Sequence, residues 1–147
     1  MLDTMIFDHI VADDALANSV VAAVRNGSIM IVTTHIQEDQ IAVISDDKKR
    51  EAILHIPRAV VPTTGFAWDI SRLGMAELAD DETSATIERI GQRHLPTVKD
   101  ALIASSARDR ADAIVTDDKT LQRRIRREGL NVKVLTFEDF RRYIVSR

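Results

Sequence analysis

The sequence contains no cysteine and little glycine, proline or aromatic residue. Without a thiol, the chain has no disulfide framework, no thiolate zinc site, no iron–sulfur cluster and no cysteine nucleophile. Five Gly and three Pro in 147 residues are too few for a collagen-like or disordered chain. No hydrophobic run approaches the roughly 18 residues that a membrane helix requires, and no signal-peptide pattern opens the chain. These absences predict a cytoplasmic globular protein that does not insert into a membrane.

Three glycine-dependent motifs are also missing. The sequence has no GxSxG, GxGxxG or GxxxxGK[ST] pattern, so the nucleophile elbow of hydrolases, the dinucleotide fold and the P-loop lack the glycines that they need. A receiver domain of a response regulator would need adjacent acids after its first strand, and Asp3 stands alone there. These enzyme and signalling classes are therefore excluded.

Charge is distributed unevenly along the chain. The net formal charge is −3, yet residues 119–147 hold nine basic and three acidic residues, while the rest of the chain holds eleven basic and twenty acidic. A basic segment favours contact with nucleic acid, whereas the acidic remainder does not.

The hydrophobic pattern predicts short strands separated by helices. Buried strands are expected at residues 1–7, 28–33, 113–116 and 131–135. Helices are expected at residues 47–55, 81–94, 97–108, 119–128 and 137–145, the last capped by Thr136. Two earlier helices are also expected. Asp13 or Asp14 caps the first, which ends at Asn26-Gly27, and Thr34 caps the second. Alternating strands and helices imply parallel pairing. The prediction is an α/β fold in which residues 1–147 form one domain, an α/β/α sandwich with a short central parallel sheet.

Acidic residues lie where a parallel sheet gathers its ligands, outside the carboxyl ends of the strands. Four segments contribute them, at a strand end or early in a helix: Asp3, Glu38, Asp39, Asp100, Asp117 and Asp118. Carboxylates brought together repel one another, so such a cluster is costly without a cation. Oxygen ligands without cysteine or paired histidine favour Mg²⁺ or Mn²⁺. Such ions serve phosphoryl transfer.

These residues resemble the PIN-domain ribonucleases, which include the toxins of VapBC toxin–antitoxin pairs. The resemblance rests on Leu2-Asp3-Thr4, on residues 100–104 (DALIA) and on residues 113–118 (AIVTDD). The resemblance implies a PIN-like fold and a metal site formed by Asp3, Asp100 and Asp118, with Asp117 as an auxiliary ligand. It also implies that Thr116 binds at the site by positioning the attacking water or the loop.

Two positions depart from the family pattern. Met5 stands where the family often has Asn or Ser, two residues after its first aspartate. The second acidic position is usually a Glu before an apolar residue, and the closest pair here is Gln40-Ile41. Glu38 or Asp39 must then supply the second carboxylate, and the sequence does not choose between them.

Residues 119–128 predict a basic helix. Two apolar residues spaced four apart can face the core, Leu121 and Ile125, which leaves the arginines on the helix flanks: Arg123, Arg124, Arg126 and Arg127. One interpretation is an ordinary solvated face. The other is a surface that binds RNA phosphates without reading sequence.

The main prediction is a Mg²⁺- or Mn²⁺-dependent endoribonuclease whose catalytic residues are Asp3, Asp100, Asp118 and one of Glu38 and Asp39. By the resemblance, it would be a homodimeric toxin covered by a protein antitoxin. The alternative is a PIN-like module that binds RNA or a protein without cutting.

Overall fold

The structure, a computed structural model, describes residues 1–67, 70–81, 83–85, 87 and 95–146. Seven helices are used below: α1 Thr4–Val11, α2 Asp14–Arg25, α3 His35–Ala42, α4 Asp47–Leu54, α5 Leu95–Arg110, α6 Lys119–Arg127 and α7 Phe137–Val145. The strands are β1 Val32–Thr34, β2 Ala59–Val61, β3 Thr63–Thr64, β4 Ala76–Glu77, β5 Ala113–Val115 and β6 Lys133–Leu135.

The strands pair in parallel. β1 pairs with β2 in the register Thr33 to Val60, β5 pairs with β6 in the register Ile114 to Val134, and β3 pairs with β4. The prediction of a mixed α/β fold with parallel strands between helices is therefore confirmed. Within the described residues, no helix is both long enough and apolar enough to cross a membrane.

The predicted first strand, residues 1–7, is wrong beyond its first residues. Leu2 forms one parallel bridge with Val115, and the Asp3 amide donates to the Val115 carbonyl at 2.9 Å. Helix α1 then begins at Thr4, because Asp3 is its N-cap and accepts a hydrogen bond from the Thr4 amide at 2.7 Å. The apolar run that indicated a strand is the buried face of this helix: Ile6, Phe7 and Ile10.

Helix α5 also begins earlier than predicted. It starts at Leu95 rather than residue 97, because Pro96 lies in the first turn, where its missing N–H costs nothing. Asp100 is consequently in the second turn and not in the first. Most of the predicted helix at residues 81–94 lies outside the described residues.

Two apolar clusters hold these elements together. The first is centred on α1 and includes Phe7 and Ile10, both fully buried. The second joins α5, β5 and α6 through Leu102, Ile114 and Leu121. Since α5, β5 and α6 share this cluster, the carboxyl end of β5 is held close to the second turn of α5.

Candidate active site

Asp117 and Asp118 follow β5 after Thr116, and each carboxylate accepts a hydrogen bond from an amide at the start of a helix. Asp118 is the N-cap of α6, and its Oδ1 accepts from the amides of Thr120 at 2.7 Å and Leu121 at 3.2 Å. Asp117 Oδ1 accepts from the amide of Phe137, the first residue of α7, at 2.9 Å. The resemblance implies that Asp118 is a metal ligand and Asp117 an auxiliary one, and in this structure both carboxylates accept hydrogen bonds at helix N-termini.

One hydroxyl joins Asp3 to this turn. Thr116 is fully buried, its Oγ1 donates to Asp3 Oδ2 at 2.6 Å, and the same oxygen accepts from the Asp118 amide at 3.1 Å. The Gln122 side chain donates to the Thr116 carbonyl at 2.6 Å, and the Thr116 amide donates to Leu135 O at 3.0 Å. Thr116 therefore links the Asp3 carboxylate to the turn between β5 and α6.

Asp3 carries a carboxylate that the structure makes harder to ionise. Burial raises its pKa most, and the negative charges of Asp118 and Asp117 raise the pKa further. Hydrogen bonds from Thr116 and Thr4 act in the opposite direction without cancelling the rise. Asp3 thus lies in the field of the acids that follow β5.

Asp100 completes the group from the opposite helix. Burial raises the pKa of Asp100 to about 6, with further contributions from the negative charges of Asp118 and Asp3. The positive charge of Arg124 partly opposes them. Three chain segments that are far apart in sequence therefore bring Asp3, Asp100 and Asp118 within electrostatic reach of one another. We call these three residues the acidic cluster.

Glu38 and Asp39 are engaged elsewhere. Glu38 accepts from Arg58 Nε at 2.7 Å, from Arg58 Nη2 at 2.8 Å and from Thr33 Oγ1 at 2.7 Å. Burial acts to raise the pKa of Glu38, but these hydrogen bonds and the Arg58 charge outweigh it and lower the pKa. Asp39 pairs with Arg72 at 2.6 Å. The structure thus does not bring either predicted candidate for the second acidic position into the acidic cluster.

A neutral amide of α3 reaches the residue beside Asp3 instead. The Thr4 hydroxyl donates to Gln40 Oε1, and Gln37 on the same helix donates to the Leu2 carbonyl. Gln40 thus holds the start of α1 from the side on which the resemblance places its second carboxylate. This position carries no charge in this chain.

Comparisons with known proteins do not identify a family for this chain. No family model, curated protein or solved structure matches this chain. The resemblance to PIN-domain ribonucleases accordingly stays a prediction that rests on the residues quoted for it.

The acidic cluster has the donor chemistry of a hard divalent cation. Carboxylate oxygens are the ligands that Mg²⁺ and Mn²⁺ prefer. Burial is the main cause of the raised pKa values of Asp3 and Asp100, and the negative charges of neighbouring acids add to it. In the part of the chain that the structure describes, no three His, Cys, Asp or Glu side chains form a ready-made metal site. The residues fit a divalent cation in chemistry, and their side chains would have to close around it.

Helix α6 begins at Asp118 of the acidic cluster and carries four arginines. Two of its apolar residues are buried, as predicted: Leu121 and Ile125. Arg123, Arg126 and Arg127 are exposed, whereas Arg124 is half-buried. The Arg127 charge is paired with Glu128 at 3.0 Å. The exposed positive charge on this helix outside that pair is thus carried by Lys119, Arg123 and Arg126.

The sequence did not point to two residues that affect the composition or the geometry of the site. Arg58 forms an ion pair with Glu38 and so keeps that carboxylate out of the acidic cluster. In the sequence, Arg58 stands out only as a lone basic residue in the apolar segment 56–61. Gln122 holds the Thr116 carbonyl, and no pattern in the sequence marks it.

A surface cavity lies away from these residues. It measures about 310 Å³ and is lined by Glu138, Arg141, Arg142, Val145 and Ser146 of α7 and the residue after it. Its lining includes no member of the acidic cluster, so the cavity does not mark the candidate active site.

If the acidic cluster binds Mn²⁺, Thr116→Val is expected to weaken that binding about 10- to 100-fold, because residues that orient metal ligands typically contribute that much. The substitution keeps the side-chain shape and removes the hydrogen bond to Asp3 Oδ2. Isothermal titration calorimetry with Mn²⁺ measures the change. Thr120→Val, at an exposed position of α6, is the control and should bind like the unmodified protein. Equal affinity for both variants would show that the hydroxyl does not orient Asp3.

Proposed function

We propose that this protein is a metal-dependent endoribonuclease with a PIN-like α/β/α sandwich fold. The observation that carries the proposal is the convergence of Asp3, Asp100 and Asp118 from three separate segments. The burial of unneutralised carboxylates costs free energy, and a site that binds a cation explains why such a cost is retained.

Each member of the acidic cluster has a role in this proposal. Asp3, Asp100 and Asp118 would hold Mg²⁺ or Mn²⁺, and Asp117 would remain at the start of α7. The bound cation would lower the pKa of a water molecule for attack on the phosphodiester. Thr116 keeps Asp3 oriented through its 2.6 Å hydrogen bond. Asp100 has to lose its proton to serve as a ligand, so the site is expected to work above pH about 6.

RNA is the proposed substrate, and α6 is its proposed binding surface. An acidic cluster alone repels a phosphate backbone, so affinity requires neighbouring cations. Arg123, Arg124 and Arg127 are the proposed phosphate ligands, together with the exposed Arg126. Contacts of this kind give affinity without reading bases.

The proposed biological role is the toxin of a toxin–antitoxin pair. Only the resemblance supports this role, which includes a homodimer and a protein antitoxin that covers the acidic cluster. Co-expression with the product of a neighbouring short reading frame tests it. Rescue of cell growth and loss of RNA cleavage in the purified complex would support the role, and unaffected growth without the partner would contradict it.

Incubation of purified protein with RNA tests the proposed activity. Cleavage is expected in Mn²⁺ or Mg²⁺ and should stop in EDTA. Asp100→Asn should remove cleavage, whereas Asp14→Asn, an exposed aspartate in the first turn of α2, should retain it. Cleavage that persists in EDTA, or in Asp100→Asn at the full rate, would contradict the proposal.

A second candidate is a PIN-like module that binds RNA or a protein without cutting. The observation that favours it is the missing fourth carboxylate, since Gln40 is neutral and Glu38 is paired with Arg58. RNA bound by the protein and left intact under every metal condition would establish this function in place of the first.

Gln40→Glu is expected to strengthen Mn²⁺ binding by about tenfold, because a negative charge near Asp3 attracts the cation. A glutamate can still accept the hydrogen bond from the Thr4 hydroxyl. Calorimetry with Mn²⁺ and the RNA cleavage rate provide the two measurements. Asn131→Asp makes the same amide-to-acid change at an exposed position and should alter neither. Unchanged affinity in Gln40→Glu would show that position 40 does not face the cation.

A further inference from the structure

The surface cavity on α7 combines positive, negative and apolar groups. Its volume of about 310 Å³ is that of a small ligand pocket. The lining consists of two guanidinium groups, a carboxylate, an apolar side chain and a serine: Arg141, Arg142, Glu138, Val145 and Ser146. All five residues are exposed, whereas Phe140 and Ile144 of the same helix are buried in the core. The cavity therefore presents this set of groups to a ligand from solution.

Helix α7 begins at the same turn as α6. Asp117 Oδ1 accepts from the Phe137 amide at 2.9 Å, and Asp118 of the acidic cluster caps α6. At a rise of about 1.5 Å per residue, Arg141 lies about 6 Å and Ser146 about 14 Å along the helix axis from Phe137. A single RNA strand with one phosphate at the acidic cluster therefore needs only a few more nucleotides to reach the cavity.

The two arginines of the cavity are exposed and weakly engaged. Arg142 takes part in none of the ion pairs among the described residues. Arg141 lies 3.8 Å from Asp13 Oδ2, and the two side chains are 49% and 43% exposed, so solvent screens this pair. An exposed guanidinium can bind a phosphate through two parallel hydrogen bonds. Both arginines can therefore bind an anionic ligand without breaking a strong ion pair.

We propose that this cavity binds one ribonucleotide of the RNA substrate, a few nucleotides away from the phosphodiester at the acidic cluster. Arg141 and Arg142 bind its phosphate, and Val145 supplies an apolar contact to its base. The Glu138 carboxylate accepts a hydrogen bond from the ribose 2′-hydroxyl, a group that DNA lacks. This subsite rests on the proposed function, because it extends the RNA surface from α6 to α7.

Fluorescence anisotropy in EDTA tests the subsite with a labelled single-stranded RNA of about 12 nucleotides. Arg142→Gln is expected to bind this RNA about tenfold more weakly, because a hydrogen bond to a charged group contributes that much. The slope of log affinity against log salt concentration should become shallower by about 0.7, the value for one phosphate contact to a single strand. Arg25→Gln is the control, since Arg25 is exposed at the end of α2 opposite to Asp13, and it should bind like the unmodified protein.

DNA of the same sequence tests the role of Glu138. The unmodified protein should bind the RNA about three- to tenfold more tightly than the DNA, the contribution of one hydrogen bond. Glu138→Ala should lose most of this preference, whereas Glu138→Gln keeps an acceptor oxygen and should retain it. A preference that is absent from the unmodified protein, or equal in Glu138→Ala, would overturn the contact with the 2′-hydroxyl.

These measurements separate the subsite from the proposed function. Equal RNA affinity and equal salt slope for Arg142→Gln and the unmodified protein would overturn the subsite and leave the acidic cluster as the candidate nuclease site. Absence of RNA binding by the unmodified protein would overturn the subsite and the ribonuclease proposal together.

Discussion

Asp100→Asn is expected to abolish RNA cleavage and to stabilise the metal-free protein at the same time. The loss of activity should reach at least about 100-fold, because the substitution removes a carboxylate that the proposed function assigns to the cation. The gain in stability follows from the pKa of about 6, against an ordinary value of 3.8. Above that pKa the folded protein carries a charge that it disfavours, and asparagine removes the charge.

The change in stability with pH shows why Asp100→Asn should stabilise the protein rather than destabilise it. The unfolded carboxyl ionises near pH 3.8 and the folded one near pH 6, so the folded state loses stability as the pH rises between these values. Asp100→Asn should therefore raise the free energy of unfolding by about 1–2 kcal/mol at pH 7, a value reduced for solvent screening of a half-buried group. Below pH 3.8 the advantage should disappear.

Urea unfolding in EDTA at pH 7 and near pH 3.5 measures the effect, and Mn²⁺ binding should weaken as the pH falls through about 6. Asp14→Asn is the control and should shift neither property, since that carboxylate is exposed. A loss of stability at pH 7 in Asp100→Asn would mean that Asp100 contributes to folding and is not held at a free-energy cost for binding.

Arg58→Ala is expected to destabilise the protein by about 3–5 kcal/mol, because it leaves a partly buried carboxylate without its partner. The Arg58 side chain is only 7% exposed and grips both oxygens of Glu38. It also donates to the carbonyls of Ile53 at 2.8 Å and Ile56 at 3.0 Å, and its Cζ lies 5.4 Å from the centre of the Phe7 ring. Removal of this side chain therefore affects α1, α3 and the end of α4 together.

Chemical denaturation measures this loss, and Arg72→Ala is the matched control. Arg72 forms the neighbouring ion pair with Asp39, but both side chains are largely exposed, so the expected loss is below about 1 kcal/mol. Glu38→Gln should lower stability and leave Mn²⁺ binding unchanged. Similar losses in Arg58→Ala and Arg72→Ala would contradict the structural role of the Glu38–Arg58 pair.

Local signals predicted much of the secondary structure. Thr136 caps α7 as predicted, and Asp13 caps α2, one of the two residues that the sequence offered for this cap. The error at residues 1–7 arose because an apolar run does not distinguish a buried strand from one face of a helix. The Asp3 cap decided in favour of the helix.

For the candidate site, too, the sequence predicted one part and the tertiary structure decided the other. The sequence alone placed Asp3 and Asp118 at predicted strand ends and Asp100 early in a predicted helix, and the carboxyl ends of parallel strands share one edge of a sheet. Spacing could not tell which acids remain uncompensated. That outcome depended on the tertiary structure, which brings Arg58 to Glu38 and Arg72 to Asp39. Residue types and their periodicity thus predicted most of the helices and strands and identified the candidate carboxylates. Long-range packing alone decided which carboxylates stayed available, because ion pairing depends on distances between segments that no local pattern encodes.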